Sequence, residues 1–521
     1  MRASLRRAFN PRRRAPSAFA PAAGLDAVTA LPPLICVVAS RSAWAVSWPL
    51  LLGLAVFVFL NNPTGLPLLG DPDTHWHITV GNWILTHGSV PTADSFSYTF
   101  TGQPWIAKEW LSQVVLALAF NLGGWGGVTA LAAAAVGLTF ALLPRLLMRD
   151  IQPVPALLFT AAALAMTAPH LLARPHMLVF PLILLWGAGL VRAVEQRRAP
   201  EPLLLLVMLL WANMHGGFTL GLVLAAAFAL DAVVGARDAA ERRTLFIAWA
   251  KFGVAALLVA CITPYGPESI LVTSRIFGFG EALRVIAEWR APDFQKQPVQ
   301  ELVLLVAVYL ALSRGLKLPL VRLLIVIGLL HLFLRYARNA ELLATLAPLA
   351  IAPLLARQFP KIAAQPQARG RFDNLSRPAG PAAFAACLGL AGLLAGVLIG
   401  LGRIAPPPDN APSAAIAFAR ESGLAGKRVF NHYGFGGYLI SVGIPTFVDG
   451  RGELYGGDFI KRQVEAVALR GEEPLAALLD RYAVGWTLLM PDQPANQLLA
   501  RLPGWRRAYS DDAATIFVRE K

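Results

Sequence analysis

The stretch PAAFAACLGLAGLLAGVLIGLG, residues 381–402, sets the fold class. It carries no charged side chain and reaches the roughly 20 residues that an α-helix needs to cross the hydrocarbon core of a bilayer. Further apolar segments lie at residues 44–60, 126–144, 153–168, 176–191, 202–214, 217–235, 245–262, 299–313, 319–334 and 339–356. The sequence therefore predicts an all-α polytopic membrane protein with about eleven transmembrane helices.

The composition agrees with a lipid environment. Hydrophobic residues make up 56% of the chain and charged residues 15%, with a mean hydropathy of +0.55, whereas charged residues are about 25% of a soluble domain. The formal net charge of +15 comes from short basic clusters between apolar runs, which is the positive-inside pattern of multispanning proteins. We therefore expect membrane lipids as partners and no nucleic acid. The three cysteines share no metal-ligand spacing.

The basic clusters also predict the orientation of the chain. With the N-terminus inside, cytoplasmic loops fall at the arginine and lysine clusters of residues 145–149, 192–198, 237–243, 314–322 and 361–371. Residues 1–43 then form a disordered basic cytoplasmic tail, and residues 44–402 a membrane domain with an outer loop at 61–125. Residues 111–121, too short to cross, are expected to be interfacial or re-entrant. This topology indicates a multi-pass membrane protein with residues 61–125 and the residues after 402 on the outer side.

Residues 403–521 differ in character and predict a periplasmic α/β domain that follows a stiff proline linker at 406–408. Alternating patterns predict strands and helices in this domain. The strands are expected at residues 427–431, 437–442, 446–448, 484–490 and 515–519, and the helices at 413–421, 458–469, 474–481 and 494–502.

Polar side chains are densest just after the first helix, in Gly70-Asp71-Pro72-Asp73-Thr74-His75-Trp76-His77. Two carboxylates near the headgroup plane suit a general base. If a helix begins at Asp73, then Asp73 and His77 lie on one face, four residues apart. The alternative is that Asp73 is a helix N-cap and that Trp76 and Trp83 are interfacial anchors.

Further ionisable residues fall on the same predicted side of the membrane. They are Glu109, Arg174, His176, His215, Glu288, Arg335 and Arg338. Ionisable residues at membrane depth are costly and by default indicate a functional site, although a single one at a helix end can simply extend its charge to the interface. Because they share one leaflet, the sequence favours a functional site.

Several of these segments resemble a known family. The Asp71-Pro72-Asp73 loop, the amphipathic helix after it and residues 105–110 are similar to the first outer loop of GT-C superfamily membrane glycosyltransferases, which use polyprenyl-phosphate sugars and include protein O-mannosyltransferases and aminoarabinose transferases. Residues 210–217 (LWANMHGG), 287–289 (AEW), 436–438 (GGY) and 448–451 (VDGR) resemble a bacterial branch of GT-C-like proteins. Better-known members carry Asp-Glu at the loop start, whereas Pro72 separates two aspartates here.

The resemblance implies an inverting glycosyltransferase that moves a sugar from a polyprenyl-phosphate donor to a lipid, glycan or protein acceptor on the periplasmic face. It implies that Asp71 or Asp73 is the base, and that Arg174, Arg335 or Arg338 holds the departing phosphate. His75, His77 or Glu109 would orient the acceptor or a divalent ion such as Mg²⁺ or Mn²⁺, and His176, His215 and Glu288 complete the predicted substrate-binding set. The alternative is a non-catalytic membrane component of polysaccharide assembly or transport.

Overall fold

The computed structural model describes residues 42–61, 68–275, 289–365, 370–402 and 404–520. Within it, Ala43–Lys521 form one compact unit. The tail predicted for residues 1–43 lies almost wholly outside the described residues, and so does the predicted site residue Glu288.

Before residue 402 the regular structure of the described residues is helical. The helices are α1 (Trp48–Leu60), α2 (Asp73–His87), α3 (Trp110–Leu147), α4 (Pro153–Thr167), α5 (Pro175–Leu178), α6 (Phe180–Glu195), α7 (Leu204–Met214), α8 (Phe218–Val234), α9 (Ala239–Ala260), α10 (Glu268–Arg275), α11 (Pro298–Ser313), α12 (Leu320–Arg335), α13 (Ala340–Gln358), α14 (Arg371–Leu375) and α15 (Pro381–Leu401). A helix occupies each apolar segment that the sequence marked, so the prediction of a mostly helical, apolar architecture is confirmed.

Length and composition identify the helices that could cross a membrane. Among the described residues, five are long and apolar enough: Trp110–Leu147, Pro153–His170, Ala239–Ala260, Ala337–Gln358 and Pro381–Leu401. Shorter apolar helices are Trp48–Leu60, Leu204–Met214, Phe218–Val234 and Pro298–Ser313. Helix α15 buries only Ala383 and exposes Leu388, Leu390, Leu393 and Leu401. Such an all-round apolar surface suits contact with lipid tails.

Helix α3 is longer than the sequence predicted. It starts at Trp110, so residues 111–121 form its first part and precede the predicted span at 126–144. Gly123 and Gly124 have non-helical backbone angles, and Gly124 has a φ of 55°, which glycine adopts without steric cost. The kink at these two residues separates a first part that packs against α2 from a second part among the other apolar helices.

The C-terminal region, residues 404–520, contains a four-stranded sheet of order β1-β2-β4-β3. Its strands are β1 (Val429–Asn431), β2 (Trp486–Leu489), β3 (Trp505–Ser510) and β4 (Thr515–Arg519), and its helices are α16 (Ser413–Glu421), α17 (Gly436–Ser441), α18 (Gly452–Val467), α19 (Leu475–Arg481) and α20 (Pro494–Leu499). β1 pairs with β2 in parallel, and the other pairs are antiparallel. The strand predicted at residues 437–442 is wrong, because this segment is helix α17.

Alternate residues of the sheet build a core on each of its faces, as the two-residue period of a strand requires. Phe430 and Phe517 lie in one apolar cluster, whereas their chain neighbours Val429 and Ile516 lie in the other. The sheet is thus covered by apolar side chains on both sides, and helix α17, which follows β1, packs against α2.

Candidate active site

Helix α2 begins where the Asp-Pro-Asp motif ends. Pro72 precedes the first helical residue, Asp73, with a φ of −66°, which is the value that its ring favours. The backbone N–H of Asp73 donates to Oδ1 of Asp71 at 2.7 Å, so Asp71 satisfies one of the free N–H groups at the helix start. The alternative that Asp73 is the N-cap is therefore wrong, since Asp71 makes the capping bond.

Arg174 lies between the two aspartates, and these three residues form the Asp–Arg cluster. Nη1 of Arg174 is 3.0 Å from Oδ2 of Asp71, and Nη2 is 2.5 Å from Oδ2 of Asp73. Asp71 and Asp73 are buried, so the guanidinium offsets the repulsion between two carboxylates in a site of low dielectric. A hydrogen bond of 3.1 Å from Thr74 Oγ1 to the carbonyl oxygen of Ala173 holds the two chain segments together.

His77, Glu109 and His215 form a second group, the His–Glu cluster. Nε2 of His77 is 3.8 Å from Oε2 of Glu109, and Nε2 of His215 is 3.5 Å from Oε1 of Glu109. The N–H of Gly217 donates to Nδ1 of His215 at 3.1 Å, so the proton of the neutral ring lies on Nε2 and faces Glu109. Gln113 lies on the other side of His77, with its Nε2 at 3.4 Å from Nδ1.

Burial and nearby cations decide the charges in the His–Glu cluster. Burial lowers the pKa of His77 and of His215 well below the ordinary value, and burial raises the pKa of Glu109. After burial, the charges of Arg174 and Lys108 lower the pKa of His77 further. Both imidazoles are therefore neutral at neutral pH, and their contacts with Glu109 are polar contacts and not ion pairs.

Two more predicted residues lie around the His–Glu cluster. The ring centroid of His176 is 6.3 Å from that of His215. Arg338 lies 4.7 Å from the ring centroid of Trp289, and its charge is the largest cause, after burial, of the lowered pKa of His215. The structure thus brings the two predicted clusters and Arg338 into one electrostatic neighbourhood.

His75 and Arg335 are placed differently. The ring of His75 packs edge-on against Trp125 at 4.7 Å and against Tyr438 at 5.2 Å. Its Nε2 has no hydrogen-bond partner among the described residues, and burial lowers the pKa of His75 to about 4. Arg335 lies over Tyr336, 5.8 Å from the ring centroid. His75 thus belongs to an aromatic pocket and not to the Asp–Arg cluster.

An ion pair that the sequence did not predict also lies at the site. Nζ of Lys108 is 3.2 Å from Oε2 of Glu453, and both side chains are largely buried. Lys108 adjoins the predicted residue Glu109, so its charge was a usable signal. Glu453 belongs to α18 of the C-terminal region, and nothing in its local sequence indicated that it would meet the first outer loop.

The described part of the chain offers no ligand set for the predicted divalent ion. Among the residues that the structure describes, no group of three or more His, Cys, Asp or Glu could hold a metal ion. Mg²⁺ and Mn²⁺ prefer several oxygen ligands, but Asp71 and Asp73 are both paired with Arg174. The guanidinium occupies the position that a cation would take between them, and no chemical step is assigned to a metal.

Comparisons with known proteins give structural neighbours only. No family model and no curated protein matches the sequence. ArnT from Cupriavidus metallidurans bound to undecaprenyl phosphate is 13% identical, with a TM-score of 0.49 over 90% of this chain and 97% of that chain. An Archaeoglobus fulgidus oligosaccharyltransferase tethered to an acceptor peptide is 12% identical, with a TM-score of 0.47 over 85% of this chain and 68% of that chain.

The apo form of ArnT gives a TM-score of 0.46 at 13% identity. ArnT and the oligosaccharyltransferase are glycosyltransferases, the class of enzyme that the sequence resemblance names. Because all three TM-scores are below 0.5, no residue role is transferred from these proteins to this chain.

Proposed function

We propose that this chain is a membrane glycosyltransferase that transfers a sugar from a polyprenyl-phosphate donor to a hydroxyl group of a lipid, glycan or protein acceptor. The observation that carries the proposal is the Asp–Arg cluster, in which two buried carboxylates share one guanidinium at the start of α2. The family resemblance of this loop supports the substrate class, and the apolar helices support a lipid-linked donor.

In the proposed reaction Asp73 accepts the proton of the acceptor hydroxyl. The acceptor oxygen forms a bond to the anomeric carbon, and the bond from that carbon to the phosphate oxygen breaks with inversion. The electron pair of the broken bond leaves with the polyprenyl phosphate. Asp71 accepts the N–H of Asp73 at the helix start and pairs with Arg174, so we assign Asp71 the support of the loop and Asp73 the proton transfer.

Cations around the site suit the charge of the departing phosphate. Arg174 lies at the Asp–Arg cluster, Lys108 lies beside Glu109, and Arg338 acts on the His–Glu cluster. Guanidinium groups in a water-poor site stabilise developing phosphate charge strongly. We assign this role to Arg338 and Arg174, with His77 and His215 as neutral hydrogen-bonding partners for the acceptor.

The proposal includes a topology. The membrane domain, residues 44–402, would cross the bacterial inner membrane about eleven times, with the N-terminus in the cytoplasm. The domain at residues 403–521 and the site would face the periplasm. The arginine and lysine clusters in alternate loops support this orientation.

The test is the substitution Asp73→Asn in purified protein given a radiolabelled polyprenyl-phosphate sugar and membrane extract as acceptor. Asparagine keeps nearly the same volume but cannot accept the proton, so turnover should fall about 10² to 10⁴-fold while donor binding survives. Asp458→Asn, at an exposed position of α18, is the matched control and should be fully active. Full turnover in both Asp71→Asn and Asp73→Asn would remove this loop from the chemistry.

A further inference from the structure

The C-terminal region approaches the Asp-Pro-Asp motif closely at two glycines. A Cβ atom on Gly437 would lie 2.3 Å from the carbonyl oxygen of Pro72, and one on Gly450 would lie 1.9 Å from Oδ1 of Asp73. Both distances are far below van der Waals contact, so a side chain at either position would displace the motif. The backbone of Gly450 thus lies directly against the carboxylate of the candidate base.

Gly450 has no room to retreat, because both of its neighbours are fixed. Asp449 and Arg451 are fully buried. Arg451 donates to the Asp449 carboxylate through Nε at 2.8 Å and Nη2 at 2.7 Å, and to Asp94 through Nη1 at 2.5 Å. Its guanidinium also lies 4.8 Å from the ring centroid of Trp105. Buried, charge-assisted hydrogen bonds of this kind are strong and hold one geometry.

Space and not backbone conformation explains the glycine at position 450. The φ of Gly450 is outside the left-handed region, whereas nearby Gly443 and Gly456 have φ values of 77° and 73°. An L-residue could therefore adopt the backbone of Gly450 without strain. A side chain is excluded there because its first carbon would occupy the position of the Asp73 carboxylate.

We propose that Gly450 is a positioning residue for Asp73: its bare backbone is the wall that holds the carboxylate opposite Arg174. The C-terminal region then sets the position of the candidate base, and the site is incomplete without it. This inference rests on the proposed role of Asp73 as general base. A shift of about 1 Å in a reacting group costs about 10²-fold in rate, so such a wall matters for turnover.

The experiment compares Gly450→Ala with Gly426→Ala in the full-length protein. A Cβ on Gly426 would meet no atom within 4 Å, so Gly426→Ala should match the wild type. With the radiolabelled polyprenyl-phosphate sugar that supports wild-type turnover, Gly450→Ala should lower kcat at least about 10-fold and change KM less than about 2-fold. A general loss of folded protein would instead lower the amount of active enzyme and leave the kcat of each folded molecule unchanged.

A second readout needs no substrate. Asp73→Ala removes the carboxylate that the new Cβ would meet, so Gly450→Ala should lower the Tm clearly in the wild-type background and much less in the Asp73→Ala background. An equal loss of Tm in both backgrounds, or wild-type behaviour of Gly450→Ala, would overturn the proposal. If Gly450→Ala alone does not fold, the double variant Asp73→Ala/Gly450→Ala tests the proposal. Recovery of folded protein in the double variant supports the proposal. A double variant that does not fold although Asp73→Ala does fold contradicts it.

The two readouts separate this proposal from the proposed function. The Tm loss caused by Gly450→Ala could be smaller in the Asp73→Ala background while Asp73→Asn is fully active. This result would reject Asp73 as the base, and with it any catalytic role for the backbone of Gly450. An equal Tm loss from Gly450→Ala in both backgrounds, together with an inactive Asp73→Asn, would keep Asp73 as the base and reject Gly450 as its positioning residue.

Discussion

Asp71 and Asp73 are two residues apart, yet their neighbours give them different tasks. Asp71 accepts the N–H of Asp73 with one oxygen and pairs with Arg174 through the other. Asp73 pairs with Arg174 through Oδ2 and faces the backbone of Gly450 with Oδ1. A carboxylate that is needed to cap a helix has less freedom to take a proton, so in the proposed reaction Asp73 is the base and Asp71 supports the loop.

His75 predicts a pH dependence of stability. Burial lowers its pKa from 6.5 to about 4 in the folded protein, so the unfolded chain binds this proton more tightly. The stability that neutral His75 contributes is fully present above pH 6.5 and is lost as the pH falls towards about 4, a change of about 3 kcal/mol. His75→Phe removes the titration and should flatten the decline of Tm between pH 7 and pH 4.5.

The substitution also removes a ring nitrogen that has no hydrogen-bond partner among the described residues. We therefore expect His75→Phe to be neutral or stabilising at pH 7, since a buried polar atom without a partner is costly. His87, exposed at the C-terminal end of the same helix, provides the control variant His87→Phe. A Tm of His75→Phe that falls with pH as steeply as that of the wild type would contradict the argument.

At the scale of the elements, the long apolar helices could be predicted from sequence, because a run of apolar residues long enough to cross a bilayer has few other structures available. Short segments were harder to predict from sequence. Residues 437–442 form a short apolar run that does not distinguish strand from helix, and helix α17 forms there against α2. Strand β3 was missed because Arg506 and Arg507 break the apolar alternation, as an exposed edge strand permits.

The candidate site likewise contains residues that could be predicted from sequence and residues that could not. Asp71, Asp73 and His77 could be predicted because they lie in one stretch whose helical spacing places Asp73 and His77 on one face. Glu453 and Gly450 could not, because their contacts join segments far apart in the chain and a glycine carries no chemistry of its own. Arg174 was predicted as a phosphate ligand, but its pairing with both aspartates was not predicted. That pairing depends on the tertiary fold, which the periodicity of the sequence does not define.

Asn213 connects three elements behind the His–Glu cluster, and its removal should destabilise the protein. Its Oδ1 accepts from Nε1 of Trp110 at 2.9 Å, and its Nδ2 donates to the carbonyl oxygens of Leu209 and Ile262, each at 2.9 Å. Asn213→Ala leaves the Trp110 N–H and the Ile262 carbonyl without this partner, and each of these part-buried hydrogen bonds contributes about 0.5–1.5 kcal/mol. The Tm in detergent should fall accordingly.

Asn121→Ala is the matched control for that variant. Asn121 is also a helical asparagine with a side-chain hydrogen bond, to Oδ1 of Asn82 at 2.8 Å, but this bond is exposed. An exposed polar contact contributes within about 0.5 kcal/mol, so its loss should hardly change the Tm. Equal effects of the two variants would show that Asn213 does not hold α3 and α7 together.

At the scale of the whole molecule, the first long loop and the C-terminal region fold together. Tyr98 donates its backbone N–H to the carbonyl oxygen of Thr446 at 3.1 Å and its hydroxyl to that of Val429 at 2.8 Å. Thr99 donates to the carbonyl oxygen of Phe447 at 2.8 Å. These bonds join segments that are more than half of the chain apart, so a change in the C-terminal region reaches the loop that carries Asp71 and Asp73.

Arg451 is the buried charge at this junction, and we expect it to dominate the stability of the connection. It pairs with Asp449 and with Asp94, which is 357 residues away in the chain. Arg451→Met would leave two buried carboxylates without their cation, and removing one partner of a buried ion pair typically costs about 3–5 kcal/mol. The double variant Arg451→Met/Asp449→Asn should lose less than the sum of its single variants, because one of the two uncompensated charges is gone.

The cost of Arg451→Met should also depend on pH. Burial would raise the pKa of Asp449, but Arg451 and the hydrogen bonds that the carboxylate accepts hold it below the ordinary value. The stability from this ionised group is therefore present at neutral pH and is lost as the pH falls through the lowered pKa. Without Arg451, burial raises the pKa of Asp449 and protonation relieves the buried charge, so the Tm difference from wild type should be larger at pH 7.5 than at pH 5.

The control is Arg506→Met, since Arg506 pairs with Glu520 in an exposed contact at 3.2 Å that contributes at most about 1 kcal/mol. If Arg451→Met lowered the Tm no more than Arg506→Met, or equally at both pH values, the junction would not depend on this ion pair, and the loop bonds of Tyr98 and Thr99 would have to hold the two regions together.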